Sequence, residues 1–199
     1  NFLRLYKALP VDGILADLGI SSHQIDMADR GFSTRFDAEL DLRMDRKSGL
    51  TARQIVNQYS PDELKKIFVE YGELKHSFRI AQQLVSARDA EEITTTTRLK
   101  EILMPLAERG RENKFFAQVF QALRIEVNGE LDALKEMLLQ TTKVLKPGGR
   151  LVVLSYHSLE DRLVKNFVKT GNFEGIEEKD FYGNLLSPFK PLTRKPVVP

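Results

Sequence analysis

The stretch from Val11 to Gln24, Val-Asp-Gly-Ile-Leu-Ala-Asp-Leu-Gly-Ile-Ser-Ser-His-Gln, constrains the chain more than any other. Ile14, Leu15 and Ala16 run on without polar alternation, the mark of a strand covered on both faces, as in a parallel α/β sheet. Asp17 then stands at the carboxyl end of that strand. Ligands of open α/β sheets bind in the crevice beyond such ends, so an acid there faces a site and escapes the cost of burial inside the sheet. Gly19 lets the backbone turn or come close to a ligand, and Ser21, Ser22 and Gln24 add neutral hydrogen-bonding groups. A plain Asp-Gly turn after a strand accounts for the same residues.

A second strand is needed, since one strand cannot make a sheet. Arg150-Leu-Val-Val-Leu-Ser155 supplies it, following the breaker Pro147-Gly148-Gly149. Before it, Phe116, Phe120, Leu123, Val127, Leu131, Leu134 and Leu138 keep a buried helical stripe, which predicts one long helix. Strand, helical crossover and strand form a βαβ unit with parallel pairing. At the second strand's end stand Tyr156, His157, Ser158, Glu160 and Asp161. Ser158 is placed to cap a helix carrying Leu163, Val164, Phe167 and Val168, with the two acids at its positive end. His157 is either part of a site or a hydrogen-bonded structural imidazole.

Between the strands lies a region of different character. From Asp29 to Lys47, acidic and basic side chains balance around Phe32, Phe36, Leu42 and Met44 with neither helical nor strand period. Long irregular segments inside a compact domain are usually functional or disordered, and phenylalanines favour order. A loop at a site and a covering loop pinned by ion pairs fit equally. Ser60-Pro61-Asp62-Glu63 then opens a helix with a capping box, and Gly72 closes it. A second helix is expected over 75–88. Thr94 to Thr97 cap a third, with Pro105 ending or kinking it. Residues from about 50 to 110 therefore read as a helical insertion between two parts of a sheet domain.

Composition excludes several chemistries. The chain has no cysteine, so the residues shown hold no disulfide, no thiolate zinc site and no cysteine nucleophile, which suits a reducing cytoplasm. Its three histidines are too far apart in sequence to give metal-ligand spacing, so no metal is expected. No apolar run approaches a membrane span and no signal peptide opens the sequence, so no membrane partner is expected and the protein should be soluble and cytoplasmic. A net charge of +2 predicts no nucleic-acid partner by itself. Only the tail from Leu185, with Lys190, Arg194 and Lys195 and no acid, offers a local basic patch of the kind that displaces counterions along a backbone. A start without methionine and a close in a proline-rich tail predict a fragment.

Taken together, Asp12-Gly-Ile-Leu-Ala-Asp-Leu-Gly-Ile-Ser-Ser-His-Gln24, Arg30-Gly-Phe-Ser33, Leu40-Asp-Leu-Arg-Met-Asp45, Phe120-Gln-Ala-Leu-Arg-Ile125 and Ser155-Tyr-His-Ser-Leu-Glu-Asp-Arg162 resemble bacterial small-subunit (16S) ribosomal RNA cytosine-N4 methyltransferases. The likeness runs over nearly the whole chain and is weakest over 172–184. It implies a Rossmann-like methyltransferase parallel sheet, here incomplete, with an inserted all-helical subdomain. Residues 1–30 and 118–199 would form the core and 31–117 the inserted loop and helices. It implies S-adenosylmethionine as methyl donor, with Asp17 and Gln24 at donor-contacting positions, and as target a cytosine in the decoding region of the small ribosomal subunit. In that family a glycine-rich first strand and loop, a ribose-holding acid and a further phenylalanine precede the position of Asn1, and a terminal strand follows Pro199, so the residues shown can be inactive alone. His23 stands where proline is frequent, and Tyr156 where phenylalanine is.

Asp17, Ser155 and His157 are the candidates for work at the reaction centre. Arg30, Arg35, Arg43, Lys190, Arg194 and Lys195 are the candidates for holding RNA. Alternatives of other classes are a methyltransferase acting on protein or a small molecule, and a non-catalytic RNA-binding or assembly module.

Overall fold

The computed structural model describes residues 2–21, 30–32, 37–47, 49–193 and 197. Its elements in order are α1 (Phe2–Leu5), β1 (Val11–Asp17), α2 (Ala52–Gln58), α3 (Pro61–Glu70), α4 (Ser77–Ala90), α5 (Thr96–Leu103), α6 (Glu112–Asn128), α7 (Glu130–Val144), β2 (Leu145–Leu154) and α8 (Ser158–Thr170). They pack as two units, residues 1–19 with 131–199, and residues 20–130. The architecture is α/β with a parallel pair of strands.

In the first unit β1 and β2 run parallel, with Ile14 opposite Leu151 and Asp17 opposite Leu154. The second strand starts earlier than expected, because Leu145 pairs with Val11 and the glycines are drawn into the strand, with an irregularity between Val11 and Gly13. Gly149 has no room for a side chain there. A Cβ would stand 2.9 Å from the Lys146 carbonyl and 3.0 Å from that of Asp12. One sheet face is covered: Leu134 and Leu138 of α7 and Phe167 of α8 form a small core against Leu151, Leu163, Val164, Phe173 and Phe189.

Among the described residues, coverage on both faces is not found. Leu15, Val152 and Leu154 are 71%, 51% and 43% exposed. The two helices of this unit reach the face that carries Leu151. Successive strand side chains point to opposite faces, so Leu15, Val152 and Leu154 are left on the other one.

The second unit holds the larger core. Phe68 and Leu64 of α3, Ile80 and Leu84 of α4, Leu99 and Leu103 of α5, and Val119 and Leu123 of α6 are fully buried in one cluster. The Ser60–Glu63 capping box forms as expected, and Tyr71 and Gly72 close α3. Thr95 caps α5, and Pro105 lies in the 3-10 turn that ends it. An additional short helix, α2, is opened by a second capping box in which Thr51 and Gln54 exchange bonds.

The expected single long helix is two. Gly129 takes a left-handed conformation, φ +58°, and separates α6 from α7. The apolar stripe continues across the break with unchanged spacing, which hides it in the sequence. With α6 packed into the helical core, the units divide after Gly19 and Glu130.

Candidate functional site

Parallel pairing brings the ends of β1 and β2 to one rim. Asp17 closes β1 opposite Leu154, and Leu18 extends the ladder by donating to the Leu154 carbonyl at 3.1 Å. Both chains then turn. Gly19 adopts φ +82°, a left-handed conformation that glycine takes without strain, and a Cβ there would reach the Tyr156 ring at 3.4 Å. The Tyr156 hydroxyl donates to Asp17 Oδ1 at 2.8 Å. Hydrogen bonding to the carboxylate, together with its negative charge, raises the Tyr156 pKa above its ordinary 10.0, so the phenol remains a proton donor at neutral pH. Asp17, Ser155 and Tyr156 are all exposed on this rim.

The turn after β2 is held from below by α8. Glu160, 3% exposed, accepts from the Tyr156 N–H at 2.8 Å and from the His157 N–H at 3.4 Å. The His157 ring returns the contact, with Nδ1 accepting from the Glu160 N–H at 3.5 Å and Nε2 lying 3.2 Å from Glu160 Oε1. This is a capping box with histidine in the place usually held by serine or threonine. The expected cap, Ser158, is instead the first helical residue, because the chain turns helical one residue earlier than a cap at Ser158 would require.

Burial favours the neutral form of Glu160, but the His157 ring and the two backbone N–H groups outweigh it and hold its pKa below the ordinary 4.5. A depressed carboxyl pKa contributes stability that is present above the unfolded value and lost as pH falls through the folded one. Glu160→Gln is therefore expected to flatten the acid limb of stability. Urea midpoints measured from about pH 6 down to about pH 3 check this, and parallel curves for the two proteins would contradict it.

Of the residues proposed from sequence, Asp17, Ser155 and His157 come together in the first unit. Gln24 lies outside the described residues, as do Ser22, His23, Arg35, Arg194 and Lys195. Lys190 is exposed. Arg30 and Arg43 are spent on the protein's own loop. Arg30 Nη2 donates to the carbonyls of Arg43 and Met44 at 2.6 and 2.8 Å, and its guanidinium lies over the Phe32 ring. Arg43 chelates Asp41 through Nε and Nη2 at 2.6 and 3.0 Å. Burial alone would raise the Asp41 pKa, but Arg43 outweighs it and the pKa falls.

Leu40 and Leu42 between these charges are 1% exposed, and Asn128 of α6 accepts from the Met44 N–H and donates to the Leu42 carbonyl. Among its described residues, 37–47 are pinned as a cover over the helical core. A 310 Å³ cavity in the same unit is lined by Glu39, Asp41, Arg43, Thr51 and Arg53, of which Asp41 and Arg43 pair with each other and Arg53 pairs with Glu92.

Two contacts were missed in the sequence. Tyr156 stands there in the turn that closes the second strand, but nothing local reports a partner 139 residues away. Glu160 reads only as favourable charge at a helix start, although an acid three residues after His157 is the spacing of a capping box.

The described helices include none long and apolar enough to cross a membrane. Residues 2–199 match the model of the MraW methylase family. Similar curated proteins, each called "Ribosomal RNA small subunit methyltransferase H", come from Parabacteroides distasonis, Bacteroides thetaiotaomicron and Amoebophilus asiaticus, all 57% identical. Each alignment covers this whole chain, which spans 66%, 66% and 64% of those relatives' lengths. With the family pattern running from Phe2 to Pro199, the chain belongs to the MraW methylase family.

Proposed function

We propose that this chain carries one wall of the reaction centre of an enzyme that methylates the exocyclic N4 of a cytosine in the decoding region of small-subunit ribosomal RNA. The observation that carries the proposal is the exposed Asp17 carboxylate at the carboxyl ends of two parallel strands, oriented by the Tyr156 hydroxyl at 2.8 Å. The names of the relatives supply the class of substrate.

The residues at this rim fit S-adenosylmethionine. Asp17 offers an anion beside a glycine turn, the combination that suits a polar and positively charged ligand at a strand end. Gln24 is the proposed second contact. When bound, S-adenosylmethionine supplies a methyl group on a positive sulfonium.

The chain's part is alignment. The amine of cytosine is a poor nucleophile because its lone pair is delocalised into the ring, so holding it in line and accepting hydrogen bonds from its protons is the main contribution. Ser155 and Asp17 present oxygens on this rim that can accept such bonds. His157 is occupied in the helix cap, so we assign it as a positioning residue that keeps Tyr156 and Ser155 in place. No covalent adduct to the base is required, and none of the chain's residues is a thiol. A cytosine in a loop can be splayed out to reach the rim. Arg35, Lys190, Arg194 and Lys195 are the proposed backbone contacts, with Arg30 and Arg43 acting through the loop they hold.

The test uses the full-length protein, donor carrying a labelled methyl group, and small subunits lacking the mark. The expected product is N4-methylcytidine in nuclease digests of the decoding-region RNA. Label that survives ribonuclease in protein would favour a protein methyltransferase. Absence of donor binding by calorimetry would favour an assembly module.

A further inference from the structure

Between α8 and the tail, the first unit carries a short hairpin that none of the preceding chemistry uses. Lys179 and Leu185 pair in an antiparallel bridge, and the Asp180 N–H donates to the Asn184 carbonyl at 2.9 Å. The turn is closed by Asp180, whose Oδ1 accepts from the Tyr182 and Asn184 N–H groups at 2.8 Å each and whose Oδ2 accepts from the Asn184 amide at 2.9 Å. Gly183 completes it with φ +85°. The base is anchored on both sides, since Phe173 stacks on Phe167 at 5.2 Å and Phe189 packs against the same ring at 6.1 Å.

At the tip of this built turn stand Phe181 and Tyr182, 97% and 85% exposed. Their rings meet edge to face, with centroids 5.6 Å apart and planes at 87°. Two large aromatics on a folded tip leave apolar area in water that burial in a core or interface would stabilise, which is the signature of a binding element rather than of packing.

We propose that this tip is a stacking platform for unpaired bases of ribosomal RNA, with Phe181 and Tyr182 each offering a ring face. The proposal rests on the preceding assignment of ribosomal RNA as substrate. Base stacking on aromatic side chains is tolerant of sequence and uses solvent-facing rings, which Phe181 and Tyr182 offer. The immediate sequence neighbours of the two rings, Asp180 and Gly183, are not apolar, and on the returning side Leu185 and Leu186 are 45% and 56% exposed. Asp180 is the positioning residue, because its carboxylate sets the turn.

The experiment compares full-length wild type, Phe181→Ala, Tyr182→Ala and the double variant for direct binding to small-subunit ribosomal RNA and for methyl transfer. Each alanine is expected to raise Kd and KM for the RNA by roughly 5- to 150-fold. The kcat at saturating RNA, the donor affinity and the thermal midpoint should stay unchanged, and Phe181→Tyr with Tyr182→Phe should restore binding. The slope of log Kd against log salt should also stay unchanged, because no phosphate contact is removed. Ultraviolet cross-linking should join the Phe181–Tyr182 peptide to RNA. An unchanged Kd in the double variant overturns the proposal, and so does cross-linking of that peptide to a ribosomal protein. Direct RNA binding keeps the two claims apart: tip-dependent binding without methyl transfer overturns the methyltransferase assignment alone, whereas methyl transfer with an indifferent tip overturns the stacking platform alone.

Discussion

Full-length Asp17→Ala is expected to bind S-adenosylmethionine roughly 10- to 150-fold more weakly than wild type, the effect of losing about 1.5–3 kcal/mol from a hydrogen bond to a charged group. Methyl transfer at limiting donor should fall by at least as much. Two further variants separate charge from shape. Asp17→Asn keeps an acceptor for the Tyr156 hydroxyl but removes the negative charge, so its donor affinity should lie between wild type and alanine. Tyr156→Phe removes only the hydroxyl that orients Asp17, at a surface position, and should cost less than either. Because Asp17 is exposed, none of the three should move the thermal midpoint appreciably. Isothermal titration of the donor checks the series, and wild-type affinity in Asp17→Ala would remove this carboxylate from the site.

The largest effect on stability is expected in the helical unit. Phe68 is fully buried at the middle of that core, on a helix that packs against both α4 and α6. Phe68→Ala removes a ring from close-packed surroundings that cannot fully collapse, and should destabilise the unit by about 3–5 kcal/mol. Helical circular dichroism followed through urea unfolding reads this as a lower midpoint at unchanged slope. A loss below about 1 kcal/mol would mean that this phenylalanine is not a central contact.

Legibility in the sequence followed the range of the interactions. Asp17 at a strand end was visible because an apolar run stopping at an acid is a local pattern, and so were the Ser60–Glu63 box and the Pro105 stop. Gly129 was not, since Val127, Leu131 and Leu134 keep helical spacing in the sequence on both sides of it, although Val127 and Leu134 pack in different cores. The two-sided burial predicted for β1 assumed cover on both faces, which Leu15 and Val152 do not have within the described residues. Arg30 and Arg43 looked available because a sequence shows charge but not the carbonyls and carboxylate that absorb it. The buried Leu40 and Leu42 were the available sign that this loop is a cover. The contact between Asp17 and Tyr156 depends on strand register across 139 residues, which no local pattern encodes.

The decisive measurement is a crystal structure of the full-length protein with S-adenosylmethionine bound. The donor is expected at the rim where β1 and β2 end, with a polar group within hydrogen-bond distance of the Asp17 carboxylate. A donor seated elsewhere, with Asp17 and Tyr156 still joined and facing solvent, would contradict this placement.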